Sequence, residues 1–228
     1  MGEPQYQEAF DLMEALGPQR MGLHASWAYY DDPKRLTFTL ARYKFVARML
    51  EGSGAVLEVG CSDGFATRIV RQTVGRMTAV DFDPRSIASA RETVSERWPI
   101  TFLHHDMLSG PVDGRFDAVY ALDTLEHIPE EDEDRFIRNM IAPLVADGVV
   151  IVGMPSLQSQ AYASAHSRAG HVNCKDQRAL KAVMERHFRN VFMFAMNDEV
   201  LHTGYHAMAH YILALCCGKR TDGAANAA

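Results

Sequence analysis

The sequence lacks a membrane-length apolar run and any regular spacing of cysteines. Its apolar stretches are far shorter than the ~20 residues of a transmembrane helix. The four cysteines stand at positions 61, 174, 216 and 217, which form no metal-ligand or disulfide pattern. The beginning of the chain also lacks the basic-then-apolar order of a signal peptide. We therefore expect a cytoplasmic protein in a reducing compartment, with no membrane partner.

The sequence also lacks a surplus of positive charge. Its formal net charge is -6 at pH 7, whereas a protein that neutralises many phosphates needs a basic surface. We therefore expect no nucleic-acid partner. The acidic run at 130–134 is interpreted as the start of a helix, where carboxylates complement the positive end of the helix dipole. No coiled coil or interface stripe indicates an oligomeric state.

The 228 residues fit one domain, since a single core serves chains of up to roughly 250 residues. Short apolar segments alternate with helix-length segments, which predicts a doubly wound α/β fold. The predicted strands are 55–59, 76–80, 100–104, 116–121, 148–153, 191–196 and 207–216, and the helices between them are 67–73, 85–97, 132–144 and 175–187.

About ten residues without an obvious helix join the last two predicted strands, so we expect the last strand to run antiparallel. The prediction is a mostly parallel seven-stranded sheet with an antiparallel last strand. A helical cap is expected at 1–52, the Rossmann-like domain at 53–218 and a flexible tail at 219–228.

A turn with two glycines follows the first predicted strand. Gly60 and Gly64 stand where the backbone must approach a ligand closely. A dinucleotide-binding enzyme would carry Gly-x-Gly-x-x-Gly here, but this chain has Gly60-x-x-x-Gly64 with Ser62 between the glycines and Glu58 on the strand. The pattern favours a different nucleotide, and the alternative is an ordinary tight turn.

Polar side chains follow the next three predicted strands as well. Asp81 ends the second strand about twenty residues after the glycine turn, where a carboxylate can accept hydrogen bonds from ribose hydroxyls. Asp106 and Met107 follow the third strand, and the segment Leu122-Asp-Thr-Leu-Glu-His127 follows the fourth. The neighbouring Asp83 is interpreted as a helix N-cap.

These four segments, in this order, resemble the motifs of class I S-adenosylmethionine-dependent methyltransferases, particularly the ubiquinone-biosynthesis O-methyltransferase type. Ser62 departs from the family's Gly-x-Gly-x-Gly at the central glycine. The resemblance implies S-adenosylmethionine as cofactor and S-adenosylhomocysteine as product. It implies cofactor contacts from the following residues: Glu58, Gly60, Cys61, Ser62, Gly64, Asp81, Phe82, Asp106, Met107 and Leu122.

The resemblance assigns individual roles to some of these residues. Glu58 orients the cofactor's amino group, Asp81 binds the ribose, Phe82 packs on adenine, and Asp106 accepts from the adenine amino group. Related enzymes place an arginine on the helix before the sheet, so Arg42 is predicted to pair with the cofactor's carboxylate. The alternative for Arg42 is a surface ion pair.

The remaining candidates concern the methyl acceptor. His127 follows the fourth strand and is the predicted catalytic base, since histidine has a suitable pKa, and the alternative is a structural role. His171 either fixes the long loop after the fifth strand or reaches the acceptor. Asn197, His202 and His206 are predicted acceptor contacts, with an exposed loop as the alternative. No metal site is assigned, because His171, His166 and Cys174 lack supporting ligand spacing.

Together these features predict an enzyme that transfers a methyl group from S-adenosylmethionine to a hydroxyl of a small metabolite, such as a sugar or a glycosylated or phenolic intermediate. N-methylation of a small amine is the first alternative, because an unprotonated amine needs no strong base. A non-catalytic S-adenosylmethionine-binding protein is the second. A nicotinamide-dependent dehydrogenase is disfavoured by the missing Gly-x-Gly-x-x-Gly.

Overall fold

One eight-stranded sheet organises the chain in the computed structural model, which describes residues 3–220. Across the sheet the strand order is β3-β2-β1-β4-β5-β8-β6-β7. The strands are β1 Ala55–Val59, β2 Arg76–Asp81, β3 Thr101–His104, β4 Phe116–Leu122, β5 Leu144–Pro155, β6 Phe188–Asn197, β7 Val200–His202 and β8 Tyr211–Lys219.

The first five strands are parallel to one another, and β8 lies antiparallel between β5 and β6. The predicted mostly parallel sheet with an antiparallel last strand is therefore confirmed. The structure adds β7, a three-residue strand paired with the end of β6 in the connection that sequence reasoning left without an element. A strand this short has too few residues to show an alternating pattern.

Eight α-helices lie among residues 3–220: α1 Gln7–Leu16, α2 Leu23–Asp31, α3 Lys34–Met49, α4 Thr67–Arg71, α5 Pro84–Thr93, α6 Glu130–Ile141, α7 Ala165–Gly170 and α8 Gln177–Glu185. Helix α5 begins as predicted, because the side chain of Asp83 accepts a hydrogen bond from the backbone N–H of Arg85. Helix α6 carries its acidic residues in the first turn.

Helices cover both faces of the sheet, so the central strands are buried on both sides. On one face, Ile137 of α6 and Leu180 of α8 pack with Leu57 and Val119 in one apolar cluster. On the other face, a second cluster forms around α3 and α4. Each fully buried aliphatic side chain contributes roughly 1.5–3 kcal/mol relative to an exposed one. This two-sided core fixes the strand ends that carry the polar side chains.

The N-terminal helices differ in how they attach to the sheet. Helix α3 contributes Val46 to the core, and its C-cap residue Leu50 is also buried there. Helix α2 is held by its first turn, where the backbone N–H of Leu23 donates to Ser89 Oγ at 3.0 Å and that of Ala25 donates to Asp63 Oδ2 at 2.7 Å. Helix α1 buries none of its residues, and its large apolar side chains are exposed: Phe10, Leu12, Met13 and Leu16.

Within residues 3–220, no helix combines the length and the apolar character needed to cross a membrane. The division into cap, domain and tail stays a prediction. Strand β8 continues to Lys219, one residue past the predicted end of the domain. From Thr221 onward, the predicted tail lies outside the described residues.

Candidate active site

A cleft of about 550 Å³ lies at the carboxyl ends of β1, β2, β3 and β4. Strand β1 pairs with both β2 and β4, and doubly wound sheets bind ligands where the strand order reverses in this way. The volume is within the range of small-molecule sites, about 300–1,000 Å³. The cleft brings together seven of the residues predicted from the sequence: Gly60, Ser62, Asp81, Phe82, Asp106, Met107 and His127.

The turn after β1 has left-handed backbone at three positions, with φ of +80° at Gly60, +52° at Ser62 and +68° at Gly64. A Cβ added at Gly60 would meet the side chain of Thr124 from the turn after β4. Ser62 tolerates its conformation at a cost of about 1–2 kcal/mol, which explains why glycine is the usual residue there. The turn therefore holds its backbone against the cleft.

The Asp81 carboxylate holds this turn and also faces the cleft. Its Oδ2 accepts from the backbone N–H of Ser62 at 2.8 Å, and its Oδ1 accepts from that of Asp83 at 2.9 Å. Each carboxylate oxygen has a second lone pair, so the group can still accept from two hydroxyls. Phe82 is 72% exposed at the same wall, which leaves a large aromatic face for a planar ligand.

The end of β3 supplies the adjoining wall. Asp106 is exposed and accepts from the backbone N–H of Leu108 at 2.8 Å, whereas Met107 is buried against the core. His104 and His105 bind the carbonyls of Phe82 and Gly110 through Nε2, which accounts for one nitrogen of each ring. These hydrogen bonds give both histidines a structural role in the turns.

Glu58 lies beneath the cofactor turn and outside the residues that line the cleft. Its oxygens accept from the hydroxyls of Tyr43 and Thr67, both at 2.6 Å. Burial raises the pKa of Glu58 to about 7, although these hydrogen bonds oppose the increase. Through these two hydrogen bonds Glu58 links β1 to α3 and α4. Its predicted contact with the cofactor's amino group stays a prediction.

Three other predicted contacts also lie behind the lining. Cys61, Gly64 and Leu122 are buried. A Cβ at Gly64 would meet the ring of Phe102 on β3, so this glycine is required by packing within the protein. These residues shape the turn, and their direct contact with the cofactor stays a prediction.

Arg42 pairs with a carboxylate of the protein itself. Its Nη1 donates to both oxygens of Asp123, at 2.9 and 2.8 Å, and its guanidinium lies 3.9 Å from the ring centroid of Tyr211. The side chain is 20% exposed, so this is a half-buried ion pair rather than a surface one. Asp123 lines the cleft, and Arg42 holds it there. The pairing of Arg42 with the cofactor's carboxylate stays a prediction, and in this structure the guanidinium pairs with Asp123.

Sequence reasoning missed His24, which lines the cleft from α2. Its Nε2 lies 3.2 Å from Ser86 Oγ on α5. On the same helix, the ring of Trp27 lies 6.2 Å from that of His166. Helix α2 therefore forms a wall between the cofactor turn and the loop after β5. No local pattern predicts this, because it depends on how α2 docks.

On the acceptor side, the structure brings His127 and His171 together, with 5.1 Å between their ring centroids. His127 Nδ1 donates to the carbonyl of Gly170 at 2.8 Å, and His171 Nδ1 donates to Gln160 Oε1 at 2.9 Å. Each ring therefore keeps its Nε2 as a lone-pair acceptor. Burial, with His127 as neighbour, lowers the pKa of His171 and so favours its neutral form.

Glu126 lies beside these histidines and is fully buried. Its Oε1 is 4.0 Å from His127 Nε2, and neither of its oxygens has a hydrogen-bond partner among residues 3–220. Burial, followed by the charge of Asp123, raises the pKa of Glu126 well above its usual range. Glu126 is in the segment that follows the fourth predicted strand, but burial cannot be read from such a turn motif.

A buried ion cluster holds the loop after β5 against the His127 segment. Glu133 of α6 is 3% exposed and accepts from Lys175 Nζ at 2.8 Å, from Asn173 Nδ2 at 3.0 Å and from Arg186 at 3.0 Å. The backbone N–H of Asn173 donates to the carbonyl of Glu126 at 2.9 Å. The acidic run thus contains one residue that joins α6 to this loop.

Asn197, His202 and His206 do not line the cleft. His202 Nε2 donates to Asn197 Oδ1 at 2.7 Å, and Asn197 Nδ2 donates to the carbonyl of Met208 at 2.9 Å. The backbone N–H of Gly204 donates to His202 Nδ1. These polar groups stabilise the connection from β6 to β8, so the geometry does not support the predicted acceptor contacts of the three residues.

The comparison with protein families agrees with this geometry. Residues 56–148, from β1 into the start of β5, match the family model described as a methyltransferase domain. This part of the chain is therefore similar to a methyltransferase domain. The match covers the turn after β1 and the ends of β2, β3 and β4, which are the elements that form the cleft.

Curated relatives of the chain include two bacterial proteins. The chain is 29% identical to the ubiquinone biosynthesis O-methyltransferase of Xanthomonas axonopodis pv. citri over 46% of this chain and 46% of that protein. It is 26% identical to nodulation protein S of Sinorhizobium fredii over 54% of this chain and 60% of that protein. The matches thus span about half the length of the curated relatives.

A solved structure extends the likeness in fold beyond these matches. The N-methyltransferase NodS from Bradyrhizobium japonicum, in complex with S-adenosyl-L-homocysteine, superposes with a TM-score of 0.63 at 21% identity and covers 95% of this chain and 99% of that one. At this identity the likeness shows the fold alone.

The expectation that the methyltransferase uses S-adenosylmethionine is confirmed by the family match and its relatives. The cleft fits this cofactor. Asp81 and Asp106 offer acceptors for hydroxyl and amino donors, and Phe82 exposes an aromatic face at the same wall.

Proposed function

We propose that the protein transfers a methyl group from S-adenosylmethionine to a hydroxyl of a small molecule. The observation that carries this proposal is one continuous cleft, which contains both the cofactor candidates and His127. An acceptor bound near His127 would therefore lie beside the cofactor, and alignment of two bound reactants supplies much of the rate increase in such a reaction.

The cofactor supplies a methyl group that is already activated by a positively charged sulfur. The protein's tasks are to orient the two molecules, to exclude water and to receive a proton from the acceptor. Gly60, Ser62 and Asp81 orient the cofactor from the strand ends. The ring of Trp27 on α2 lies 6.2 Å from that of His166, which places α2 beside the segment after β5.

A hydroxyl acceptor is favoured by the groups beside the cleft. His127 and His171 present Nε2 lone pairs because both Nδ1 atoms donate to oxygens of the protein. Together with the Glu126 carboxyl, the two histidines cluster at the His127 end of the cleft. A hydroxyl must lose its proton during methyl transfer, and His127 is the predicted base.

An amine is the second candidate acceptor. It is supported by nodulation protein S among the relatives and by the likeness in fold to an N-methyltransferase. The net charge of -6 supports a small acceptor rather than nucleic acid in both cases. A cytoplasmic location remains part of this proposal.

Incubation with methyl-labelled cofactor and a panel of sugars, phenols and amines, followed by mass analysis of the products, tests the proposal. We expect label in a hydroxyl-bearing compound. Transfer to amines alone would replace the hydroxyl by the second candidate. No transfer to any compound, with the cofactor bound, would favour a non-catalytic binding protein.

The role of His127 is tested by comparing His127→Ala with His202→Ala. We expect His127→Ala to lower turnover by about a hundredfold, the usual contribution of a positioned base, and to change cofactor affinity much less. His202 lies in the β6–β8 connection, so its variant should keep turnover within about twofold of the parent protein. Equal turnover in both variants would exclude His127 as the base.

A further inference from the structure

Three ligand-type side chains converge at the end of the cleft. A carboxylate oxygen of Glu126 and one ring nitrogen each of His127 and His171 lie within 4.8 Å of one another. Glu126 is on the 3-10 turn after β4, and His171 is on the loop after β5. The pair of hydrogen bonds that link this loop to the turn, Gly170 to His127 and Asn173 to Glu126, hold the three together.

The atoms that these three side chains turn toward one another are acceptors, and none of them donates a hydrogen bond to another. The Nδ1 atoms of both histidines are committed as donors to other oxygens, which leaves each Nε2 as a lone pair. Both oxygens of the fully buried Glu126 lack a hydrogen-bond partner among the described residues. Buried polar atoms are rarely left unpartnered, because the loss costs about 1–3 kcal/mol each. Such a group requires protons or a cation.

We propose that Glu126, His127 and His171 bind a divalent transition-metal ion of the zinc class. Two imidazole nitrogens and one carboxylate oxygen are the protein ligands of many catalytic zinc sites, which leave a further position open. The half-exposed ring of His127 opens this position to the cleft. Spacing along the chain groups His171 with His166 and Cys174, which predicts no metal site, whereas the fold places His171 beside the turn after β4.

The surroundings match what a metal site needs. Metal-bound histidines usually donate their second ring nitrogen to a carbonyl or carboxylate, which fixes the ring orientation, and Gly170 and Gln160 accept these hydrogen bonds here. An ion at the centre of a triangle with 4.8 Å edges lies about 2.8 Å from its corners, so the ligand atoms must close by about 0.7 Å to reach usual zinc distances. A change of χ angles at His127 and His171 supplies movements of this size.

A bound ion would also place a positive charge next to the Glu126 carboxylate. This carboxyl is fully buried. Arg42 donates to Asp123 and not to Glu126. A divalent cation would supply a counter-charge bound directly to Glu126, which Arg42 does not supply.

The ion has a role in the reaction that rests on the proposed function. A hydroxyl that binds a divalent cation loses its proton more readily, because the cation stabilises the resulting alkoxide or phenolate. In this form of the reaction His127 would be a ligand of the ion instead of the base, so His127→Ala would lower turnover through loss of the ion. The proton would pass from the bound hydroxyl to water. The alkoxide oxygen attacks the cofactor's methyl carbon, and the bond from that carbon to sulfur breaks with its electron pair remaining on sulfur.

Cobalt(II) alone, added to the chelator-treated protein, tests the site without reference to activity. We expect one equivalent to bind with visible ligand-field bands and to raise the melting temperature. Glu126→Gln and His171→Ala should each weaken binding by at least about a hundredfold, since each removes a direct ligand. His171 lies on a loop and is only half-buried, so its variant is expected to fold. Circular dichroism checks both variants.

His202→Ala and Glu131→Gln are the matched controls, because both residues lie outside the group and should leave cobalt affinity within about twofold. The proposal is overturned if cobalt shows no saturable binding below millimolar concentration, or if both ligand variants bind it like the parent protein. Cobalt binding without methyl transfer would contradict the proposed function alone. Methyl transfer that persists after chelation, without cobalt binding, would contradict the metal site alone.

Discussion

The two halves of the cleft are built in different ways. The cofactor half consists of the carboxyl ends of the first four strands. The Asp81 carboxylate accepts hydrogen bonds from the backbone of two of the turns there. The acceptor half joins the turn after β4 to a loop more than forty residues further along, through the Glu133 cluster and the carbonyl of Gly170. The first half depends on local turn geometry, and the second depends on long-range contacts between buried polar groups.

We therefore expect a single substitution in the acceptor half to lower the free energy of unfolding more than one in the cofactor half. Glu133→Ala removes the carboxylate that faces the buried ammonium of Lys175. Loss of one partner of a buried ion pair costs about 3–5 kcal/mol, which we expect as the decrease in the free energy of unfolding. Urea denaturation measures it.

The matched control is Glu131→Ala on the same helix, where the side chain is exposed and a change within about 0.5 kcal/mol is expected. If the two variants lose the same free energy of unfolding, the ion cluster does not hold the acceptor half, and the comparison between the halves fails.

The cofactor half contains its own buried acid, Glu58, and predicts a specific pH dependence. Its pKa in the folded protein is about 7, above the ordinary value of 4.5, so the folded state binds the proton more tightly than the unfolded chain. The contribution of Glu58 to the free energy of unfolding is therefore most favourable below pH 4.5 and falls as the pH rises through 7, by about 3 kcal/mol at most.

Glu58→Gln should remove this dependence. The measurement is the difference in the free energy of unfolding between the parent protein and the variant, from pH 4 to pH 8. We expect this difference to fall with rising pH. A difference that is constant or rises with pH would show that burial does not determine the ionisation of Glu58.

A third substitution tests whether Asp81 serves the cofactor as well as the turn. Asp81→Asn removes a charged acceptor, and a hydrogen bond to a charged group contributes about 1.5–3 kcal/mol. We expect S-adenosylmethionine affinity to fall about ten- to a hundredfold, as measured by calorimetry. Asp113→Asn, at an exposed turn outside the cleft, is the control. Equal affinities for the two variants would remove Asp81 from the cofactor site.

The smallest expected effect is that of Phe82→Ala. Stacking of a base on an aromatic side chain contributes about 1–3 kcal/mol, so we expect cofactor affinity to fall at least about fivefold. Because Phe82 is 72% exposed, stability should change by no more than about 0.5 kcal/mol. Phe192→Ala, at an exposed position of β6, is the control for affinity. A loss of stability without a loss of affinity would mean that Phe82 serves packing instead.

The same contrast explains how much could be predicted from the sequence. Periodicity and local hydrogen bonding predict the parallel strands, the acidic residues that follow their ends and the N-cap at Asp83. The structure has all three. The seven predicted residues that line the cleft are all at strand ends or in the turns that follow them. Local sequence determines such positions because strand ends share one edge of the sheet.

The remainder depends on packing between distant segments. His24 reaches the cleft only because α2 docks on Asp63 and Ser89. Arg42 forms an ion pair with Asp123, whose backbone has an unusual φ of +53°. The pairing of His127 with His171 requires the loop after β5 to fold back. None of these contacts has a signature in the sequence spacing.

The central claim is that the cleft is an S-adenosylmethionine site, and a calorimetric titration of the purified protein with S-adenosylmethionine and, separately, with NAD tests it most directly. The account predicts saturable binding of one S-adenosylmethionine per chain and no measurable binding of NAD. Tight binding of NAD, or no binding of S-adenosylmethionine, would contradict it.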